Sequence, residues 1–328
     1  MKNKNVIVVT EPFIDRLTFV VEPIGSRKET FAHALEIAKS GAINQLHKLI
    51  VQGARYRRNY GLMFKKKQIC LCQFDPLTAT NAAFRFEISP NNAGDAGMDM
   101  VRDLLTTLFG QTTEIVLRNA FITGMDIALD IVGECMDDLM VYNERTKKSS
   151  VYFGHKGQIE TQYLGAPTSD KQIRMYNKRA EILHREKRDV GEELTRLEAS
   201  LKVNRTSLTS LCQLENPFAG ISIVKLGNAS IPEGNSMWAL FLDSCRFRGM
   251  PGALARIAKL ETREKYRNRC CTEYQANWWN PEAIWGGFTK ALQRLKLFPP
   301  SSLGIKVAST VQSQAHSEST AIEDEDKN

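Results

Sequence analysis

The residues FIDRLTFVV at Phe13–Val21 are mostly β-branched, aromatic or aliphatic and predict a strand. Over 28–50, Phe31, Leu35, Ile43, Leu46, Leu49 and Ile50 share one helical face, with Ile37 off it. That spacing predicts a helix, with Ser26 as its cap. Strands are expected near 61–74 and 82–89, followed by a helix near 98–109.

The same order then restarts. ITGMDIALDIV at 122–132 predicts a strand, a short helix follows, and 150–153, 159–164 and 172–176 have strand character before a charged helical stretch and a final strand near 194–203. Asp15 aligns with Asp126 at an offset of 111 residues, and Arg85-Phe86-Glu87 aligns with Arg196-Leu197-Glu198 at the same offset. Two anchors at one offset point to an internal duplication; against it stands coincidence between short, degenerate strings. Beyond Asn204 the pattern turns helical, at 237–247, 251–260, 261–276 and 281–297, broken at Gly249, Pro251, Asn280 and Pro281. After Pro300 the chain becomes rich in Ser, Thr and Gln and then acidic, with little to bury, and is expected to be disordered.

The expected class is therefore α+β: a catalytic region of antiparallel sheets with packed helices, then a helical module and an acidic tail. The expected divisions are 1–118, 119–205, 206–300 and 301–328.

Composition narrows the chemistry. No window approaches the roughly 18 apolar residues of a membrane span, and the start carries no small-residue cleavage site, so a cytoplasmic protein without a membrane partner is expected. The seven cysteines make no CxxC pair and the five histidines no H-x-H pair, so a metal site would have to rest on carboxylates. Neither GxxxxGK[ST] nor a GxGxxG after a strand is present, which argues against ATP-driven unwinding. The net charge is +7; residues 301–328 hold two lysines against five acids, so the preceding residues carry +10. A basic body favours a polyanion such as DNA.

The segment YLGAPTSDKQIRMYNK, starting at Tyr163, predicts a hairpin around a Pro-Thr-Ser-Asp turn. Arg174, Tyr176 and Lys178 alternate on its second strand and so point to one face. A tyrosine flanked by two cations suits phosphoryl transfer, because the charges favour phenolate and hold a scissile phosphate. Asp126 and Asp130 share a face of their strand, as do Glu198 and Arg196, and these acids could bind Mg²⁺ or Mn²⁺ beside Tyr176. The same spacing also fits a salt-bridge ladder on a solvated sheet face with Tyr176 as an ordinary tyrosine, and periodicity does not separate the two.

Together, MDIALDIV, YLGAPTSDKQIRMYNK and LTRLEASLK resemble the replication initiation factor family, the Rep_trans-type rolling-circle initiators of plasmids and filamentous phages. The resemblance covers about 121–202, on the pattern Y-x-G, R-x-Y-x-K and R-x-E. It implies a metal-dependent nicking-closing enzyme that stays joined to a 5′ phosphate through tyrosine while the freed 3′ hydroxyl primes synthesis. It implies Tyr176 as nucleophile with Tyr163 as the runner-up, Arg174 and Lys178 as phosphate-side cations, and Asp126, Asp130 and Glu198 as metal ligands. The lack of H-x-H agrees with this family. Origin DNA, single-stranded DNA, a host helicase and a host polymerase are the implied partners, and a homodimer would supply a second nucleophile.

For DNA contact the sequence offers Arg246, Arg248, Arg263, Lys265, Arg267 and Arg269, interleaved with Phe247 and Tyr266. The tryptophans that follow fit a small core better than a stacking surface. Arg55, Tyr56, Arg57, Arg58 and Tyr60 form a second candidate contact. Two other functions fit the same residues: a non-catalytic DNA-binding regulator, in which Tyr176 is idle, and a mobilisation relaxase.

Overall fold

The computed structural model describes residues 6–23, 28–41, 43, 46–53, 55–228 and 236–298. Ser26 and the tail at 301–328 lie outside the described residues. The first half comprises β1 (Val8–Val9), β2 (Phe13–Val21), α1 (Lys28–Ser40), β3 (Leu46–Lys48), β4 (Tyr56–Phe64), β5 (Lys67–Pro76), β6 (Phe84–Ile88), α2 (Pro90–Phe109) and α3 (Thr113–Arg118). The second comprises β7 (Phe121–Val132), β8 (Leu139–Tyr142), β9 (Ser149–Phe153), β10 (Ile159–Leu164), β11 (Lys171–Asn177), α4 (Lys178–Glu186) and β12 (Leu194–Leu201). There follow β13 (Thr206–Ser207), β14 (Ser222–Lys225), α5 (Ser236–Leu254), α6 (Leu260–Thr272), α7 (Pro281–Trp285) and α8 (Phe288–Arg294).

One antiparallel sheet runs β3-β4-β5-β6-β2-β7-β12-β11-β10-β9, and β8 pairs with β14 in a second, small sheet. Counted outward from the central β2–β7 pair, each half presents the same order, with β7, β12, β11, β10 and β9 in the places of β2, β6, β5, β4 and β3. The duplication expected from two short strings is therefore present in the topology. Strand registers make Arg85 the counterpart of Arg196 and Glu87 that of Glu198. On the central strands the sequence alignment is one residue off. Thr18 lies opposite Glu87 as Ala128 lies opposite Glu198, so Arg16, not Asp15, is the counterpart of Asp126. In its pairing with β7, β2 is irregular between Ile14 and Arg16 and again between Thr18 and Phe19.

One sheet face is apolar. Leu17, Phe19, Phe86, Ile127, Leu129, Met175 and Leu197 are all buried in a single core. Over the first half this face is closed by α2, whose Met98, Val101, Leu104, Leu105 and Leu108 recur at helical spacing and are all buried. Over the second half the β8–β14 sheet and the C-terminal helices complete the same core, with Trp238 fully enclosed.

Two expectations change. The helix expected over 28–50 stops at Ser40, before Gly41 at φ +74°, and Leu46–Lys48 joins the sheet. Of its expected apolar face beyond that point, Leu46 belongs to the strand, while Ile43, Leu49 and Ile50 lie outside any element and Ile50 is fully exposed. Lys178 is not on β11 but opens α4, where the Asn177 side chain caps the helix by accepting from the Ala180 N–H at 2.9 Å. Among the described residues no helix is long and apolar enough to cross a membrane.

Candidate functional site

The opposite face of the sheet is polar and built from alternate residues of the central strands. β7 contributes Asp126 and Asp130, β12 Arg196 and Glu198, β11 Arg174 and Tyr176, and β2 Arg16. Antiparallel register sets Tyr176 opposite Arg196, Arg174 opposite Glu198, and Arg196 opposite Asp130. The β10–β11 hairpin adds Tyr163 opposite Arg174.

The turn that joins this hairpin begins at Gly165, at φ +92°, where an added Cβ would stand 2.9 Å from the Lys171 carbonyl oxygen. Gly165→Ala should therefore cost about 1–3 kcal/mol of backbone strain. Urea unfolding checks this, and an unchanged midpoint would mean that the turn relaxes freely.

Each acid proposed as a metal ligand is bonded to its own arginine. Asp126 accepts from Arg16 at 2.7 and 3.1 Å, Asp130 from Arg196 at 2.6 and 2.9 Å, and both Glu198 oxygens from Arg174 Nη2 at 2.8 Å. Arg196 also reaches Asp15 at 3.3 Å. Among the described residues no cluster of three or more Asp, Glu, His or Cys side chains is arranged to hold a metal. As folded, Asp126, Asp130 and Glu198 thus do not fit one shared ion, because arginines separate them. The salt-bridge ladder that the sequence left open is real, and Tyr176 stands inside it.

Tyr176 is 7% exposed, with the Arg174 guanidinium 4.4 Å and the Lys178 ammonium 5.7 Å from its ring centroid. Burial raises its pKa above that of a free tyrosine; Arg196 and Arg174 pull it down, while Glu198 and Glu181 push it up. Contrary to what the flanking charges suggest in the sequence, the cations do not favour phenolate here, because desolvation outweighs them and the phenol is neutral. Burial also raises Glu198, against the pull of Arg174, with Asp126 and Asp15 adding to the rise. The Lys178 ammonium is held by Glu181 at 2.7 Å. Arg174 Nε is buried without a hydrogen-bond partner, a deficit that costs about 1–3 kcal/mol unless something supplies an acceptor.

Beside these groups lies a cavity of about 280 Å³ lined by Arg174, Tyr176, Lys178, Arg196, Lys67 and Asp15, among others. The sequence missed Lys67, Asp15 and Arg16, which come from the first half of the chain, and treated Arg196 only as a companion of Glu198. Alternation with Glu198 could have marked Arg196. The other three are brought in by long-range pairing that no local pattern carries.

The C-terminal basic run does not form one free cationic face. Arg246 bonds Asp137 at 2.8 Å, Arg263 the Ile257 carbonyl at 2.8 Å, Arg267 pairs with Glu144, and Arg269 bonds Glu273 at 3.0 Å while stacking on Trp238. Arg248 and Lys265 are exposed. Trp279 donates to the Ile221 carbonyl and Trp278 to Glu134, so these tryptophans are packing residues. The module also lies behind the site. Gln162, which alternates with Tyr163 along β10, reaches through to β8, where it accepts from the Val141 N–H and donates to the Leu139 carbonyl.

No family model matches the chain. Replication initiation proteins from Staphylococcus aureus are similar to it. One is 28% identical over 145 residues, covering 43% of this chain and 44% of the relative. Another is 32% identical over 83 residues, covering 24% and 26%. The chain thus spans less than half the length of these curated relatives. A solved rolling circle replication initiator from Geobacillus stearothermophilus aligns with 74% of this chain and 98% of its own, with a TM-score of 0.39 and 16% identity.

Proposed function

We propose that this chain, related to replication initiation proteins over about two fifths of its length, starts rolling-circle replication by nicking origin DNA through Tyr176. The observation that carries the reading is the buried phenol between Arg174 and Arg196, beside a polar cavity and an arginine Nε that has no acceptor. A phosphodiester in that cavity supplies the acceptor. Arg174 then turns part of its guanidinium from Glu198 to a non-bridging oxygen, and Lys178 adds a second charge-assisted contact.

In the transfer step the Tyr176 oxygen forms a bond to phosphorus and the bond from phosphorus to the 3′ oxygen breaks. The leaving 3′ oxygen departs with the electron pair and takes up a proton. The phenol proton passes to Glu198, whose basicity is raised by burial and rises further once Arg174 lets go. Religation is the reverse: the 3′ hydroxyl attacks the phosphotyrosine and the phenol is restored. The freed 3′ end goes to a host polymerase, with unwinding left to a host helicase.

The regulator reading has an observation of its own, since a neutral phenol stacked under an arginine is also what a packing tyrosine shows. One experiment separates the two. Wild type and Tyr176→Phe are incubated, with and without Mg²⁺ or Mn²⁺, with single-stranded origin DNA labelled on the 3′ side of the nick. Denaturing gels should show labelled protein for wild type and none for the variant. Tight binding of a cognate origin without any adduct would overturn the nicking function and leave the regulator.

A further inference from the structure

The first half repeats the site's architecture with its chemistry changed. Gln73 lies opposite Arg85 as Tyr176 lies opposite Arg196, and Leu71 lies opposite Glu87 as Arg174 lies opposite Glu198. Val20 faces Arg85 where Asp130 faces Arg196. The second position thus keeps its arginine, has an amide for the nucleophile, and has lost both aspartates, Arg16 standing for Asp126. It can hold an anion and cannot cut one.

Arg85 is fixed by a short relay: it donates to Gln73 at 2.5 Å and to Glu87 at 2.7 Å, and Gln73 donates to Asn59 at 2.5 Å. Over this relay opens a cleft of about 660 Å³, lined by Arg55, Tyr56, Gln73, Asn81, Arg85 and Arg205, among others. A second hollow of about 240 Å³, lined by Arg16, Arg85, Gln172 and Lys202, among others, continues toward β11 and shares Arg85 and Thr123 with the cleft. Arg55, Arg205, Arg85, Arg16 and Lys202 therefore line two adjoining hollows on the polar face. The cleft also accounts for the Arg55–Tyr56 segment, which the Tyr176 site does not use.

We propose that the polar face of the first half is a non-cleaving binding site for single-stranded DNA, the continuation of the strand that Tyr176 attacks. This rests on the nicking reading and extends it. Gln73 lies five strand steps from Tyr176, about 24 Å at the usual strand spacing of about 4.8 Å. A single strand stacked as in a duplex, at about 3.4 Å per nucleotide, covers that distance in about seven nucleotides, and a more extended strand in fewer. Phosphates bind along Arg85 and the exposed Arg55.

The test uses the full chain, fluorescein-labelled oligothymidylates of about 4 and about 14 nucleotides, and anisotropy over a salt series, the lengths chosen to fall short of and exceed that span. Wild type should bind the longer strand at least tenfold more tightly. Arg55→Ala/Arg85→Gln should lose most of that gain, keep its affinity for the short strand within twofold, and lower the salt slope on the long strand by about 1.4, at about 0.7 for each phosphate no longer neutralised. Arg55→Ala alone removes an exposed side chain and should show about half the slope change, which guards against misfolding of the double variant. The proposal is overturned if wild type gains nothing from length, or if Arg55→Ala leaves the slope unchanged. In either case adduct formation on a short origin strand still judges Tyr176 separately. Wild type that binds neither strand overturns this proposal too and leaves Tyr176 to the adduct assay on origin DNA.

Discussion

Arg196→Met should lower the stability of the chain by about 3–5 kcal/mol, the usual cost of removing one partner from a buried ion pair. The arginine side chain is 5% exposed, bonds Asp130 twice and Asp15 once, and lies 4.9 Å over the Phe13 ring. Methionine keeps the apolar packing but leaves Asp130 without a counter-charge. Urea unfolding should show the drop, and Arg196→Met/Asp130→Asn should recover much of it, since the stranded charge is then gone. A single variant within about 1 kcal/mol of wild type would mean that water reaches Asp130 and that the ladder is only a surface feature.

Phe84→Ala should cost a similar amount, about 3–5 kcal/mol, by opening a cavity that its neighbours cannot close. The ring is fully buried, 5.4 Å from Phe109, 5.7 Å from Phe74 and 6.0 Å from Phe86 between centroids. It also reports on cooperativity. All four tryptophans lie between Trp238 and Trp285, far along the chain from Phe84. Because one core runs through both halves, tryptophan fluorescence and far-UV dichroism should shift together to lower urea. A shift in dichroism alone would show that the halves unfold separately.

The central hairpin was legible because Arg174 and Tyr176 alternate with the buried Ile173 and Met175, a period-two pattern that only a strand explains. The restart was legible through Arg85-Phe86-Glu87 and Arg196-Leu197-Glu198, whose strands do occupy matching places. Leu139–Tyr142 and Ser222–Lys225 were not, since each is a short run whose partner is distant in the chain. The pairing of Asp126 with Arg16 and of Glu198 with Arg174 depends on cross-strand register, which single-strand periodicity leaves free. The state of the Tyr176 phenol could not be read from its neighbours either, because burial outweighs them and burial is a property of the folded chain.

The antiparallel β2–β7 seam has a consequence for descent. Two like units joined edge to edge about a two-fold axis form the isologous contact by which separate protomers assemble. A chain of this kind is what a symmetric dimer becomes when its subunits are tied in tandem: the obligation to stay identical lapses, and one former subunit is free to carry Gln73 where the other carries Tyr176. On the proposed nicking reaction, asymmetry of that origin would leave one attack by Tyr176 for each chain.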